Sequence, residues 1–196
     1  MKLIKLLIIS LLITSCATIP EQSALQPLWE AHQQSMQKID MWQLNGRIVI
    51  SDEDSAWNSR VIWQQRPRNY QLVFNSPVGG AMRLIGSEQQ VVMNTADNKT
   101  FRAETPEKLV SEVLNMNIPV QNLHYWIRGI PAPTQRQLNY ILNENGQLQL
   151  LEQEGWTVSF KRYKYVDGVA LPEKVFLQNE DYRVKIAVNR WQPMGL

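Results

Sequence analysis

The feature that most constrains this chain is a two-residue rhythm of apolar side chains that starts after Asn45 and, with one interruption, lasts almost to the C-terminus. Trp57, Ser59, Val61 and Trp63 alternate with Asn58, Arg60 and Ile62, and the beat continues in Tyr70, Leu72 and Phe74, in Met82 and Leu84, and in Val91 and Met93. After the interruption it returns in Leu138, Tyr140 and Leu142, in Leu148 and Leu150, and in Trp156, Val158 and Phe160. The last run puts Tyr182, Val184, Ile186 and Val188 on one side and Arg183, Lys185 and Asn189 on the other. Strand side chains point alternately to two faces, so each run reads as a strand with one face buried. Turn signals separate the runs, among them Asp52-Glu53-Asp54, Arg66-Pro67-Arg68-Asn69, Gly79-Gly80 and Asn143-Glu144-Asn145-Gly146. About ten strands joined this way predict a meandering antiparallel sheet.

The period lengthens to three and four in two places. Leu25, Leu28, Trp29, His32, Met36 and Ile39 share a helical face, which predicts a leading helix with His32 packed rather than catalytic. Between the two sets of strands, Thr105-Pro106-Glu107 reads as an N-cap, a first-turn proline and a first-turn carboxylate. Leu109, Val110, Val113 and Leu114 follow as an apolar stripe, which Pro119 is expected to end. Val120 to Arg128 predicts a second short helix with Leu123, Trp126 and Ile127 inward, closed by Gly129.

A sheet with one apolar face needs a cover, and these helices are the candidates. The expected class is mainly β with α: a single curved antiparallel sheet forming an unclosed β-barrel, with about three helices across it. Alternation does not decide whether the junction holds an apolar cavity or a filled core. Val61, Trp63, Leu72, Phe74, Leu84, Met93, Leu148, Val158, Val184 and Ile186 are expected to face inward, with Leu109, Val113, Trp126 and Ile127 from the helices. Arg47, beside Gly46, is a candidate polar contact at the mouth.

The N-terminus reads as an address and an anchor. Lys2 and Lys5 precede the short apolar run Leu6 to Ile13, then Thr14-Ser15-Cys16. A bilayer span needs roughly 20 residues, so this layout is a secretory signal rather than a membrane helix. The cysteine, the only one in 196 residues, sits where the bacterial lipobox places its acylated cysteine; a chance cysteine after an ordinary signal is the alternative. The expected organisation is a cleaved signal at 1–15, a lipidated tether at 16–24 and one domain at 25–196. Ala17 follows the cysteine where inner-membrane retention commonly uses Asp, so the pattern implies the outer membrane. Without Lys2 and Lys5, the 20 Lys and Arg fall to 18, matching the 18 Asp and Glu. A near-neutral chain does not suit nucleic acid.

Searching for chemistry returns little. One cysteine excludes disulfides within the chain and multi-thiolate metal sites. Ser87 and Ser111 lie in no nucleophile elbow, and His32 and His124 are far apart in sequence. Glu152 and Glu154 beside a glycine turn read as solvent-facing carboxylates. No enzyme, metal or cofactor is expected.

Several segments together resemble the LolB family of outer-membrane lipoprotein receptors of Gram-negative bacteria. They are Trp42-Gln43-Leu44-Asn45-Gly46-Arg47, Trp63-Gln64-Gln65, Tyr70 to Gly79, Gly155-Trp156-Thr157-Val158, Leu171-Pro172 and Trp191, in order behind the lipobox. The resemblance implies an unclosed barrel, shared with the carrier LolA, with an apolar cavity under its helices. It implies a monomer that accepts triacylated lipoproteins from LolA and inserts them into the inner leaflet of the outer membrane without ATP. Its partners would be LolA, the acyl chains of the cargo and the outer-membrane lipids. Exposing one chain of about fourteen methylenes to water costs on the order of 11 kcal/mol, so cargo must pass from cavity to cavity. A structural or scaffolding lipoprotein that binds no acyl chains would share the anchor and the strands.

The family carries an exposed hydrophobic residue, typically Leu, after a loop proline, and that residue is linked to inserting cargo. Here the loop is Pro77-Val78-Gly79, with Val78 in that place.

Overall fold

A computed structural model describes residues 22–194 apart from 88, 135 and 137; the expected signal, Cys16 and the tether as far as residue 21 lie outside the described residues. The elements run α1 (Gln22–Gln37), β1 (Met41–Ser51), β2 (Ala56–Gln65), β3 (Asn69–Ser76), β4 (Gly80–Ser87), β5 (Val91–Asn94), β6 (Thr100–Ala103), α2 (Pro106–Leu114) and α3 (Val120–Trp126). They continue with β7 (Asn139–Leu142), β8 (Leu148–Gln153), β9 (Trp156–Val166), β10 (Val169–Gln178) and β11 (Arg183–Met194).

The eleven strands form one antiparallel sheet in the order β6-β5-β4-β3-β2-β1-β11-β10-β9-β8-β7. First and last strands meet at its middle, and the edges β6 and β7 are not paired with each other, so the barrel stays open. The segment joining those edges carries α2 and α3. It must travel from one edge to the other, which takes both helices across the open face. There α2 packs on β5 and β6 and touches α3, while α1 covers the other half through β7 and β10. Every pairing and core contact described lies within residues 22–194, so a chain lacking residues 1–16 keeps them all.

The central pairing depends on a glycine. Between Asn45 and Gly46 the β1–β11 register shifts by one residue, and a Cβ on Gly46 would stand 2.5 Å from the Ala187 carbonyl oxygen. The extra residue is Asn189 of β11, which lets Val188 and Trp191, three residues apart, both face inward, while β1 alternates without a break through Trp42, Leu44, Ile48 and Ile50.

Five details differ from the sequence reading. The eleventh strand is β6, whose Phe101 and Ala103 are only half-buried at an edge and give a faint alternation. Helix α1 starts at Gln22, whose side chain holds both backbone groups of one β7 residue: Oε1 accepts from Leu142 N at 3.0 Å and Nε2 donates to Leu142 O at 3.2 Å. Its buried stripe is Leu25, Trp29, His32 and Met36, and Leu28 lies on the flank, half exposed against Gly146. Helix α2 ends before Pro119 because Asn115 adopts the left-handed conformation (φ 54°) and its N–H bonds Ser111 O. Pro119 instead precedes α3, which ends at Trp126 rather than at Arg128.

Candidate functional site

Under α2 and α3, the inner face of β1 to β5 and β11 does not meet the helices completely. The gap is lined by Leu44, Ile48, Ile50, Trp57, Val61, Trp63, Leu72, Phe74, Met82, Leu84, Met93 and Ile186 from the sheet. Val110, Leu114, Met116, Ile118, Val120, Leu123 and Ile127 close it from the helical side. Every one of these residues is apolar. A water-sized sphere can move its centre through about 60 Å³ inside. A wall without polar partners leaves such a space dry.

Of the residues expected to face a cavity, Val61, Trp63, Leu72, Phe74, Leu84, Met93, Ile127 and Ile186 line this one. Leu109, Val113, Trp126, Leu148, Val158 and Val184 do not. Leu148, Val158 and Val184 are buried on the half of the sheet toward β7 to β11, away from this gap. Trp126 is fully buried with its indole N–H bonded to Gln153 Oε1 at 2.8 Å. Leu109 and Val113 lie on α2, whose cavity side is Val110 and Leu114. Leu44, Ile48 and Ile50 were legible by their alternation on β1; Met116 and Ile118 sit in a connection with no period to reveal them.

Arg128, absent from the sequence reading as a functional residue, fixes the cover at one end. Buried at the end of the α3 segment, it donates from Nε to His124 O at 3.1 Å and from Nη1 to Ile39 O at 3.0 Å. Its Nη2 lies 2.9 Å from His124 Nε2. Burial, and then the positive charge of Arg128, push His124 down to about 3, so the ring is neutral and Nε2 accepts. Burial also lowers Arg128 to about 10, which leaves it charged at neutral pH. At the other end Glu107 accepts from Gln121 N at 2.7 Å and from Gln121 Nε2 at 3.0 Å, tying α2 to α3. Arg47 stands on the opposite, outward face of the sheet and takes no part in the mouth; the alternation of β1 puts it out of step with Ile48 and Ile50.

The β3–β4 turn carries Pro77, Val78 and Gly79, all exposed, and Val78 is 96% exposed. Gly80 closes the turn at φ 69°, where a Cβ would stand 2.6 Å from the Ala96 Cβ. No helix among the described residues is long and apolar enough to cross a membrane, and no group of metal-ligating side chains occurs among them.

Residues 40–191 match the family model described as outer membrane lipoprotein LolB. The outer-membrane lipoprotein LolB of Ectopseudomonas mendocina is 36% identical over 97% of each chain. That of Pseudomonas aeruginosa is 33% identical over 94% of this chain and 93% of its own. Among solved structures, a LolA superfamily protein from Nitrosomonas europaea superposes with a TM-score of 0.54 at 8% identity, covering 88% of this chain and 94% of that one. A DUF1329 family protein from Desulfovibrio piger does so at 0.54 and 12%, over 89% and 94%. Both likenesses are of fold.

Proposed function

The chain belongs to the LolB family of outer-membrane lipoproteins, whose work is lipoprotein localisation, and on that premise we propose that it is the receiving end of a carrier-to-membrane relay. It accepts triacylated lipoproteins from the periplasmic carrier LolA and inserts them into the inner leaflet of the outer membrane without ATP. The observation that carries this reading is a cavity walled wholly by apolar side chains beneath two short helices. Such a wall offers an acyl chain a surface to replace water and offers polar ligands nothing.

The space at rest is too small for the cargo. About 60 Å³ is open to the centre of a water-sized sphere, against three acyl chains of about fourteen methylenes each in the cargo. Loading therefore lifts α2 and α3 from the sheet, with the Asn115 to Pro119 connection as the seam. The indole N–H of Trp63 and the hydroxyl of Tyr70 are buried beside α3 without partners among the described residues, which weakens the closed form by about 1–3 kcal/mol each. No nucleotide is needed when affinity rises from carrier to receptor to bilayer. Cys16, acylated and on the periplasmic side, tethers the domain that begins with α1, and Val78 enters the leaflet.

A transfer assay tests this. A soluble chain beginning at Ala17 is mixed with LolA carrying a triacylated lipoprotein, and the cargo is followed by co-purification. Cargo moves onto this chain without ATP; cargo that stays on a carrier known to be competent with another receptor overturns the reading.

A further inference from the structure

Seven adjacent strands, β6 through β1 to β11, contain no Asp or Glu, although acidic and basic residues are balanced in the chain without its signal. The outer face of these strands is therefore cationic wherever it is charged. At its middle the register sets Arg47 of β1 directly opposite Arg60 of β2, and Arg60 directly opposite Asn75 of β3. Both arginines are exposed and neither meets a carboxylate among the described residues. Like charges on opposed strand positions destabilise a sheet, so the pair is one that a bound anion would relieve.

Arg47 and Arg60 face a cleft of about 590 Å³ whose other walls include Asn58, Asn75, Ser76 and Pro77. Ser76 and Pro77 lead straight into Val78. One cleft thus joins two unpaired guanidiniums to the exposed apolar tip. A phospholipid leaflet has that same order, with phosphate at the surface and hydrocarbon beneath it. Arginine forks match phosphate oxygens two at a time. The acidic residues of this end, Asp52, Glu53 and Asp54, Asp97 paired with Lys99, and Glu180 and Asp181, all lie in the hairpins beyond the strands, so the approach favoured by charge is side-on, along the strands.

We propose that Arg47 and Arg60 form a headgroup site that binds the phosphates of anionic phospholipids and seats the Val78 loop in the leaflet. The site deepens the delivery role proposed above, and rests on it for its purpose, but it binds membrane whether or not cargo is present.

The test uses the soluble chain beginning at Ala17, without cargo, and vesicles of phosphatidylethanolamine with or without phosphatidylglycerol. Each cation near an anionic leaflet strengthens binding about fivefold, so the double variant Arg47→Gln, Arg60→Gln binds phosphatidylglycerol vesicles roughly 25-fold more weakly in co-sedimentation. Binding to phosphatidylethanolamine alone stays as in the parent. Lys161→Gln with Lys164→Gln, the same charge change on β9 four strands from β2, has little effect. Thermal unfolding confirms that both doubles are folded. Equal losses from the two doubles would reduce the effect to overall charge and overturn the site. Undiminished vesicle binding with lost binding to an acidic carrier protein would assign the face to that protein and overturn it as well. Cargo acceptance from LolA is measured separately, so failure of the receptor reading leaves its own signature.

Discussion

Trp126 and Gln153 meet inside the core, where the indole N–H donates to Gln153 Oε1 at 2.8 Å. The same oxygen accepts from Ala132 N at 2.9 Å, and Gln153 Nε2 donates to Ala132 O at 2.7 Å. One amide therefore serves three buried groups and fastens the end of α3, the Ala132 loop and β8 together. Replacing it with Leu leaves an indole N–H, a backbone N–H and a carbonyl unpaired. At about 1–3 kcal/mol for each orphaned group, Gln153→Leu lowers the unfolding free energy by roughly 3 kcal/mol or more, read from the midpoint of a urea titration. A loss under about 1 kcal/mol would mean that water or a neighbour takes over the bonds.

That bond also marks where sequence reading stops. Alternation reports which face of a strand is buried, and it was legible wherever one face met the core: Val61, Trp63, Leu72 and Leu84 turn inward as their spacing requires. It does not report what lies above that face. Leu148 and Val158 obey the same rhythm as Val61, yet they are buried away from the gap that Val61 lines. The difference arises from the paths of α1, α2 and α3 across the sheet. Arg128 and Gln153 are single polar residues in apolar surroundings, with partners 89 and 21 residues away, so no local pattern announces them. The cap of α2 was legible because Thr105 and Pro106 act locally; its end at Asn115 rests on one residue's tolerance of positive φ.

Lining and the rest of the core separate by truncation. Met93→Ala and Leu148→Ala each remove a buried side chain and lower stability by about 2–5 kcal/mol. Only the first enlarges the gap under α2 and α3. An apolar fluorescent dye, titrated at a temperature where both variants are folded, binds Met93→Ala more tightly than the parent and Leu148→Ala no differently. Equal dye binding by the two would show that the gap is not a ligand site.

Gly46 tolerates no side chain in this register. A methyl group there runs into the Ala187 carbonyl, backbone that a rotamer change cannot move aside. Gly46→Ala therefore strains the β1–β11 pairing at the centre of the sheet and lowers the unfolding midpoint, whereas Gly155→Ala adds a methyl group to open space and strains only its own turn, at φ 77°. A midpoint lowered more by Gly155→Ala than by Gly46→Ala would contradict the bulge.

His124 gives stability a pH dependence of known sign. In the folded chain it stays neutral down to about pH 3, whereas the free imidazole takes up a proton near 6.5. Between those values the unfolded chain binds the extra proton, so the contribution is whole above about pH 6.5 and is lost as pH falls. His32, also lowered by burial, acts in the same direction. Lowering the pH from 7 to 4.5 reduces the melting temperature of the parent, and His124→Gln, which keeps an acceptor for Arg128, flattens part of that slope. An unchanged slope would place the titration elsewhere.

On the function proposed above, Val78 is the side chain on which delivery turns. It is 96% exposed at the tip of the β3–β4 turn, so substitutions there change stability by no more than about 0.5 kcal/mol. Val78→Glu must carry a carboxylate into the acyl region, or fail to enter it, and neither event touches the cavity. Cargo therefore still moves from LolA onto the variant, while its passage from the variant into vesicles slows. Val78→Leu adds one methylene, worth about 0.8 kcal/mol on insertion, and increases partitioning of the tip about fourfold at most. Following the two steps separately, with carrier-to-receptor transfer by co-purification and receptor-to-vesicle transfer by flotation, gives the glutamate variant a normal first step and an impaired second. If both steps ran normally, delivery would depend on some other surface, and Val78 would be only an exposed turn residue.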